Sequence, residues 1–233
     1  MKKNLIVTAV LVAALGMAAG QTIAYFTATD TKENTFTVGN LKIEETEPAW
    51  TDGTDGKDMY PGLTLYKDPT VTNVSTGNTG EEPAYFRMIM EIKDVSGARV
   101  TDPDRLKLIL NTIRYDSTYD QSKFTSSILK EGQDKGYASS VLKDIPMFND
   151  NLFTQDSAHS DSGIYCYNYN GTLGIGSKAT LFTNIVIPSD WGNEELKALG
   201  EYSIHISVEA IQSKGFSSQK DAFEALDKEI SGT

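Results

Sequence analysis

The chain has 233 residues, enough for one sizeable core with an insertion and short for two full domains. Its 21 Lys and Arg against 32 Asp and Glu leave a net charge of -11, an acidic surface that argues against nucleic acid as a partner and keeps free subunits apart and soluble. Cys166 is the only cysteine, so no intrachain disulfide can form, and the expected place for it is a buried strand position.

Lys2-Lys3 makes a short positive region ahead of an apolar run over 5–19, and small residues follow at Ala18, Ala19, Gly20 and Ala24. That is the layout of a secretory signal peptide. The run is shorter than the roughly 20 apolar residues a spanning helix needs, and no positive flank follows it, so no stable membrane span is expected after cleavage. Thr22-Ile23-Ala24 puts Ala24 before the cut and makes Tyr25 the new N-terminus, with cleavage after Ala19 as the alternative. The expected organisation is a signal peptide over 1–24 and one domain over 25–233.

Along that domain, Phe36 and Val38 share one parity and Leu41 and Ile43 the other. A first strand over 36–43 therefore changes phase across Gly39-Asn40, at a bulge or a two-residue turn. Residues 51–62 read as a loop. The β-rich stretch 63–74 contains Pro69, which cannot donate to a ladder, so it reads as an edge strand or a strand broken by a bulge. After a turn at 75–83, Ala84, Phe86, Met88, Met90 and Ile92 alternate with Tyr85, Arg87, Glu91 and Lys93 in a half-buried strand.

Asp102-Pro103 caps a segment with Leu106, Ile109, Leu110 and Ile113 at helical spacing, opening a partly helical insertion over about 101–152. Strands resume at 163–170, where Tyr165, Tyr167 and Tyr169 share a face, and at 179–187, apolar on both faces and read as central. Over 201–211, Tyr202, Ile204, Ile206, Val208 and Ala210 face in. Ser217 is the expected cap of a C-terminal helix over about 217–230, with Ala222, Phe223, Leu226 and Ile230 at helical spacing. Six or seven half-buried strands at this spacing indicate an all-β fold, an antiparallel two-sheet sandwich.

No catalytic constellation is present. His159 and His205 are far apart in sequence and neither belongs to an HExxH pattern, and no GxSxG elbow or phosphate-cradling glycine loop occurs. Two acidic loops could offer oxygens to calcium, one with Asp52, Asp55 and Asp58 and one with Asp150, Asp156 and Asp161. Neither spacing matches the EF-hand loop. No other cofactor is expected.

Several stretches resemble the TasA/camelysin-like proteins exported with the SipW type of signal peptidase. Ala24-Tyr25-Phe26-Thr27, Asn34-Thr35-Phe36-Thr37-Val38-Gly39, Leu41-Lys42-Ile43, and Glu47-Pro48 with Trp50 carry the resemblance at the front. Lys67-Asp68-Pro69-Thr70-Val71-Thr72-Asn73, residues 84–87, Ile187-Pro188-Ser189-Asp190-Trp191 and Ala210-Ile211-Gln212 extend it, while 101–152 matches no motif of the group. The resemblance implies a jelly-roll sandwich, secretion to the extracellular matrix or cell surface, and head-to-tail assembly into biofilm-matrix fibres. The partners it implies are further copies of the chain, an anchor or accessory subunit, and the signal peptidase during export. The donated segment would carry Tyr25, Phe26, Thr27, Ala28 and Phe36.

Strand donation also has a physical rationale. Residues 25–36 are rich in Thr and aromatics, while Asp30, Lys32 and Glu33 disfavour a stable isolated hairpin. An extended segment added to an open edge gains main-chain hydrogen bonds, and such head-to-tail contacts give open filaments. Two other functions compete with the fibre subunit. Camelysin-like members are classed as metallopeptidases, and a non-polymerising surface adhesin could use the face formed by Tyr165, Tyr167 and Tyr169.

Overall fold

A computed structural model describes residues 27–31, 34–35, 41, 43–47, 59–76, 83–118 and 136–232. The signal peptide expected over 1–24, Tyr25, Phe26 and Phe36 lie outside these residues, and so do Asp52, Asp55 and Asp58 of the first acidic loop. Of the strand expected over 36–43, only Leu41 and Ile43 are described, and both are buried.

The largest sheet has six antiparallel strands. In chain order they are β1 (Thr27–Thr31), β2 (Asn34–Thr35), β6 (Ala84–Asp94), β8 (Phe153–Asp161), β9 (Ile164–Tyr169) and β12 (Tyr202–Gln212). Their spatial order is β2-β1-β12-β6-β9-β8. Alternation sets the faces, as expected: Ala84, Phe86, Met88, Met90 and Ile92 are all buried on the core side of β6, opposite Val208 and Ala210 of β12.

The second layer consists of two three-stranded sheets laid end to end. One has the order β10-β5-β3, from β3 (Ile43–Thr46), β5 (Thr70–Asn73) and β10 (Lys178–Thr180). The other has the order β4-β11-β7, from β4 (Thr64–Tyr66), β7 (Ile113–Arg114) and β11 (Asn184–Val186). The break between β4 and β5 falls at 67–69, where Pro69 removes a donor, and a matching break at 181–183 separates β10 from β11. Backbone bonds from Lys67 N to Thr183 O and from Leu181 N to Pro69 O stitch the breaks together. The strand expected as one central element over 179–187 is thus two short ones, kinked in step with its neighbour.

The described part of the stretch expected as an insertion packs against the second layer and α3 (Asn193–Leu199). Its helix α1 (Pro103–Thr112) starts at Asp102, whose side chain accepts from Arg105 N, and buries Leu106 and Ile109 in the core. Ile113, expected on the helix, instead turns extended and enters β7, so the insertion supplies a strand of its own. The single-turn helix α2 (Ser139–Leu142) lies against that strand, with Arg114 Nε donating to Leu142 O at 2.9 Å. Arg105 donates from Nε to Leu199 O at 2.9 Å, tying α1 to the end of α3 (Asn193–Leu199).

The C-terminal helix α4 (Gln219–Ser231) covers part of the outer face of the six-stranded sheet. Ala222, Phe223 and Leu226 pack on Ile211 with Tyr85 and Phe216 beside them. The cap is Ser218, not Ser217, and Ile230 is exposed, so the apolar stripe ends one turn earlier than its spacing indicates. Among the described residues no helix is long and apolar enough to cross a membrane.

Phe86 is the aromatic centre of the core, stacked on Tyr169 with centroids 4.8 Å apart and edge-on to Phe153 at 5.9 Å. Phe86→Ala is expected to cost about 3–5 kcal/mol in urea denaturation, the range for a truncated core aromatic. A loss below about 1 kcal/mol would show that the two layers do not meet there.

Candidate functional site

The strand β12 has two neighbours of unequal length. On one side β6 pairs along all of it, from Tyr202↔Asp94 to Gln212↔Ala84. On the other, β1 pairs only from Thr27↔Ile211 to Thr31↔Ser207, and β2 folds back on β1 through Asp30↔Thr35 and Thr31↔Asn34. Of the expected donor residues, Thr27 and Ala28 therefore lie on β12, opposite Ile211 and Ala210.

The opposite end of the sheet is built differently. The edge strand β8 changes register between Asp156 and Asp161, where it bulges. Ser160 Oγ donates to Asp156 O at 2.6 Å and accepts from Cys166 N at 3.0 Å inside the bulge. Asp156 and Asp161 put negative charge along this edge. Bulges and charges blunt an edge against adding strands.

Ion pairs run across the outer face beneath α4. Arg87, 4 % exposed, donates from Nε to Glu209 Oε2 at 2.6 Å and from Nη2 to Asp227 Oδ1 at 2.5 Å, with its guanidinium 5.5 Å from the Phe223 ring centroid. Burial alone would lower its pKa, but Glu209 and Asp227 outweigh burial and raise it. His159 spans two carboxylates, with Nδ1 2.8 Å from Asp156 Oδ2 and Nε2 3.1 Å from Asp227 Oδ2. Burial pushes the Asp156 carboxyl up, and the hydrogen bonds from His159 and Asn168 overcome it, leaving it below the usual range. Glu209 is the register partner of Thr29, so these ion pairs include a residue of the strand segment that β1 adjoins.

A second charged group lies in the break between β4 and β5. Asp68 is 1 % exposed and its Oδ1 makes no hydrogen bond. Beside it Lys67 Nζ is 2.7 Å from Glu47 in a buried pair. Burial first, and the charge of Glu47 second, push the Asp68 carboxyl up to about 7.

The model for camelysin metallo-endopeptidases matches residues 1–128 of this chain, which is more than half of it. The chain belongs to the camelysin family. It matches no curated protein and no solved structure.

A camelysin described as a metallo-endopeptidase implies a metal, and the donors present here can be tested against one. The chain has two histidines, and both are described. His159 stands on β8 with each ring nitrogen facing a carboxylate, and His205 on β12 has Nε2 3.0 Å from Ser203 Oγ. The strands β6 and β9 separate them, about 14 Å at the usual ~4.8 Å spacing, whereas the ligands of one zinc lie about 2 Å from it. Cys166 is buried, and burial pushes its thiol up to about 12. Among the described residues no group of three or more His, Cys, Asp or Glu side chains could hold a metal ion; the two carboxylates at His159 lie on its two different ring nitrogens. These donors do not fit a zinc centre.

The remaining sequence candidates separate as well. Of the two acidic loops expected to offer calcium ligands, the first, with Asp52, Asp55 and Asp58, falls outside the described residues. In the second, Asp156 turns to His159 and Asn168 while Asp161 meets Arg99 at 3.3 Å, so that loop gathers no calcium cage. The tyrosine face belongs to the core: Tyr167 is buried and Tyr165 and Tyr169 pack against it. That removes the surface on which an adhesin reading rested. Sequence reading missed β8, α3 and the ion pairs around Arg87. Those pairs follow from strand register, which juxtaposes Arg87 with Glu209 from over a hundred residues away.

Asp68 supplies a pH test. Between its unfolded value of 3.8 and its folded value of about 7, the native protein keeps a proton that the unfolded chain has released. The contribution of Asp68 to stability is therefore fully present below pH 3.8 and is lost as pH rises through that window, by at most about 4 kcal/mol at about 1.4 kcal/mol per unit. Asp68→Asn is expected to flatten the dependence in thermal melts from pH 4 to pH 8. An unchanged slope would remove Asp68 as its source.

Proposed function

We propose that this camelysin-family protein is a secreted structural subunit of extracellular, biofilm-matrix fibres, assembled head to tail by N-terminal strand donation. In this reading a signal peptidase cuts between Ala24 and Tyr25. The freed segment, carrying Tyr25, Phe26, Thr27, Ala28 and Phe36, leaves its own β12 and completes the β12 edge of the next copy.

The observation that carries the reading is the pairing of β1 with β12 over Thr27↔Ile211 to Thr31↔Ser207. Those backbone bonds are made equally well by the same segment of another molecule, which is the condition for exchanging an element between copies. The asymmetry of the sheet supports it: one edge is blunted by the β8 bulge, and the other is completed by a short strand near the start of the chain. One acceptor edge and one donor per subunit give a contact that is not self-complementary, so growth is linear and open. The acidic charge keeps free subunits dispersed, and main-chain bonding at the edge works against that repulsion. Copies of the chain are the main partner, with an anchor or accessory subunit starting the fibre.

A metallo-endopeptidase is the second reading, carried by the family's description. Its weakness is the separation of the two histidines.

Deleting residues 25–35 from the mature protein is expected to abolish filaments in electron micrographs while the soluble subunit remains. Filaments as abundant as those of the intact protein would end the donation reading. Incubation with casein, with and without a chelator, is expected to show no chelator-sensitive cleavage, and such cleavage would favour the peptidase.

A further inference from the structure

The chain contains a single Asn-Gly step, Asn170-Gly171, directly after β9. We propose that Asn170 is a site of spontaneous deamidation, opened by the bare amide of Gly171 and assisted by the hydroxyl of Thr154.

Three features converge on the step. Both residues are exposed. Gly171 has φ +107°, in the region that favours glycine, and an added Cβ would meet nothing within 4 Å, so the space around its backbone is open. Thr154 Oγ donates to Asn170 Oδ1 at 2.8 Å. That hydrogen bond sits on the oxygen that gains negative charge when the side-chain carbonyl is attacked, and a donor placed there lowers the barrier as in an oxyanion hole.

The chemistry needs only water. The backbone nitrogen of Gly171, losing its proton, forms a bond to Cγ of Asn170. The Cγ–Nδ2 bond breaks and ammonia leaves, closing a five-membered succinimide. Water then opens the ring at either carbonyl, giving aspartate or isoaspartate. One water enters, one ammonia departs, and nothing is oxidised or reduced.

Other asparagines lack this arrangement. Asn73, Asn149 and Asn184 are buried and precede Val74, Asp150 and Ile185, whose side chains screen the attacking nitrogen. Asn168 precedes Tyr169 and uses its amide to donate to Asp156.

The product alters the chain where it matters for the sheet. Asn170 N donates to Leu152 O at 2.7 Å, next to the terminal Phe153↔Tyr169 pair of the β8–β9 ladder. Isoaspartate inserts an extra methylene into the main chain there, beside the Tyr169 ring that stacks on Phe86. Either product adds one negative charge to an already acidic protein.

The test is to incubate the purified full chain at mildly alkaline pH beside a synthetic peptide of residues 167–174. Conversion is followed by peptide mass and by labelling with an isoaspartyl methyltransferase. A gain of one dalton at Asn170, with isoaspartate label there and none in Asn170→Gln, is the expected result. Thr154→Val keeps the side chain's shape, removes the donor, and is expected to slow conversion several-fold. A folded chain that stays unmodified while the peptide converts overturns the site, and so does faster conversion at any other asparagine. Conversion of Thr154→Val at the wild-type rate overturns the part given to the hydroxyl.

Discussion

Backbone amides and carbonyls along β12 are met on one side by β6 over the whole strand and on the other by β1 over 207–211. A buried or half-buried strand with one side unpaired forfeits those hydrogen bonds or recruits another strand to make them. The dependence on this edge runs through the sheet. Glu209, in the row facing Thr29, is held by Arg87, Arg87 also holds Asp227 on α4, and Asp227 meets His159 on the far edge strand. The strand that accepts β1 is therefore joined to the opposite edge strand by a line of polar contacts through Arg87 and Asp227.

Burying Arg87 is costly unless its partners stay in place, because a lone buried cation carries the full loss of hydration. Two carboxylates from two different elements pair with Nε and Nη2, and the bond to Asp227 adds to the apolar stripe in holding α4 on the sheet. Asp68 has no such compensation at Oδ1, and its carboxyl responds by holding a proton. The contrast shows two solutions to one electrostatic problem, pairing on one sheet and neutralisation on the other.

Alternation made β6, β12 and β9 legible from sequence, because each buries one face and period-two patterning is unambiguous there. Pro69 announced the break in the second layer through its missing donor, yet the matching break at 181–183 carries no proline and follows only from pairing with that broken neighbour. The edge strand β8 stayed hidden since Gln155, Ser157, Ala158 and His159 are all exposed, leaving no apolar rhythm. Helical spacing placed α1, but Ile113 satisfies helix and strand patterns alike, and pairing with Ile185 decided for the strand. For the site, residue types hinted at a donor segment, while the partner strand, the blunted opposite edge and the Arg87 ion pairs required the register of distant segments. The histidines lack a metal-binding motif on sequence alone, but their separation across the sheet needed the strand order.

The most direct measurement of the central claim is a disulfide trap across the ladder in the full chain. Thr31 and Ser207 are register partners, and antiparallel partners lie about 4.5–5.5 Å apart at Cα, within the span a disulfide bridges. Cys166 is buried and does not compete. In filaments of Thr31→Cys combined with Ser207→Cys, the account predicts a covalent ladder of oligomers on a non-reducing gel, lost on reduction. Filaments yielding only internally bridged monomer would contradict it.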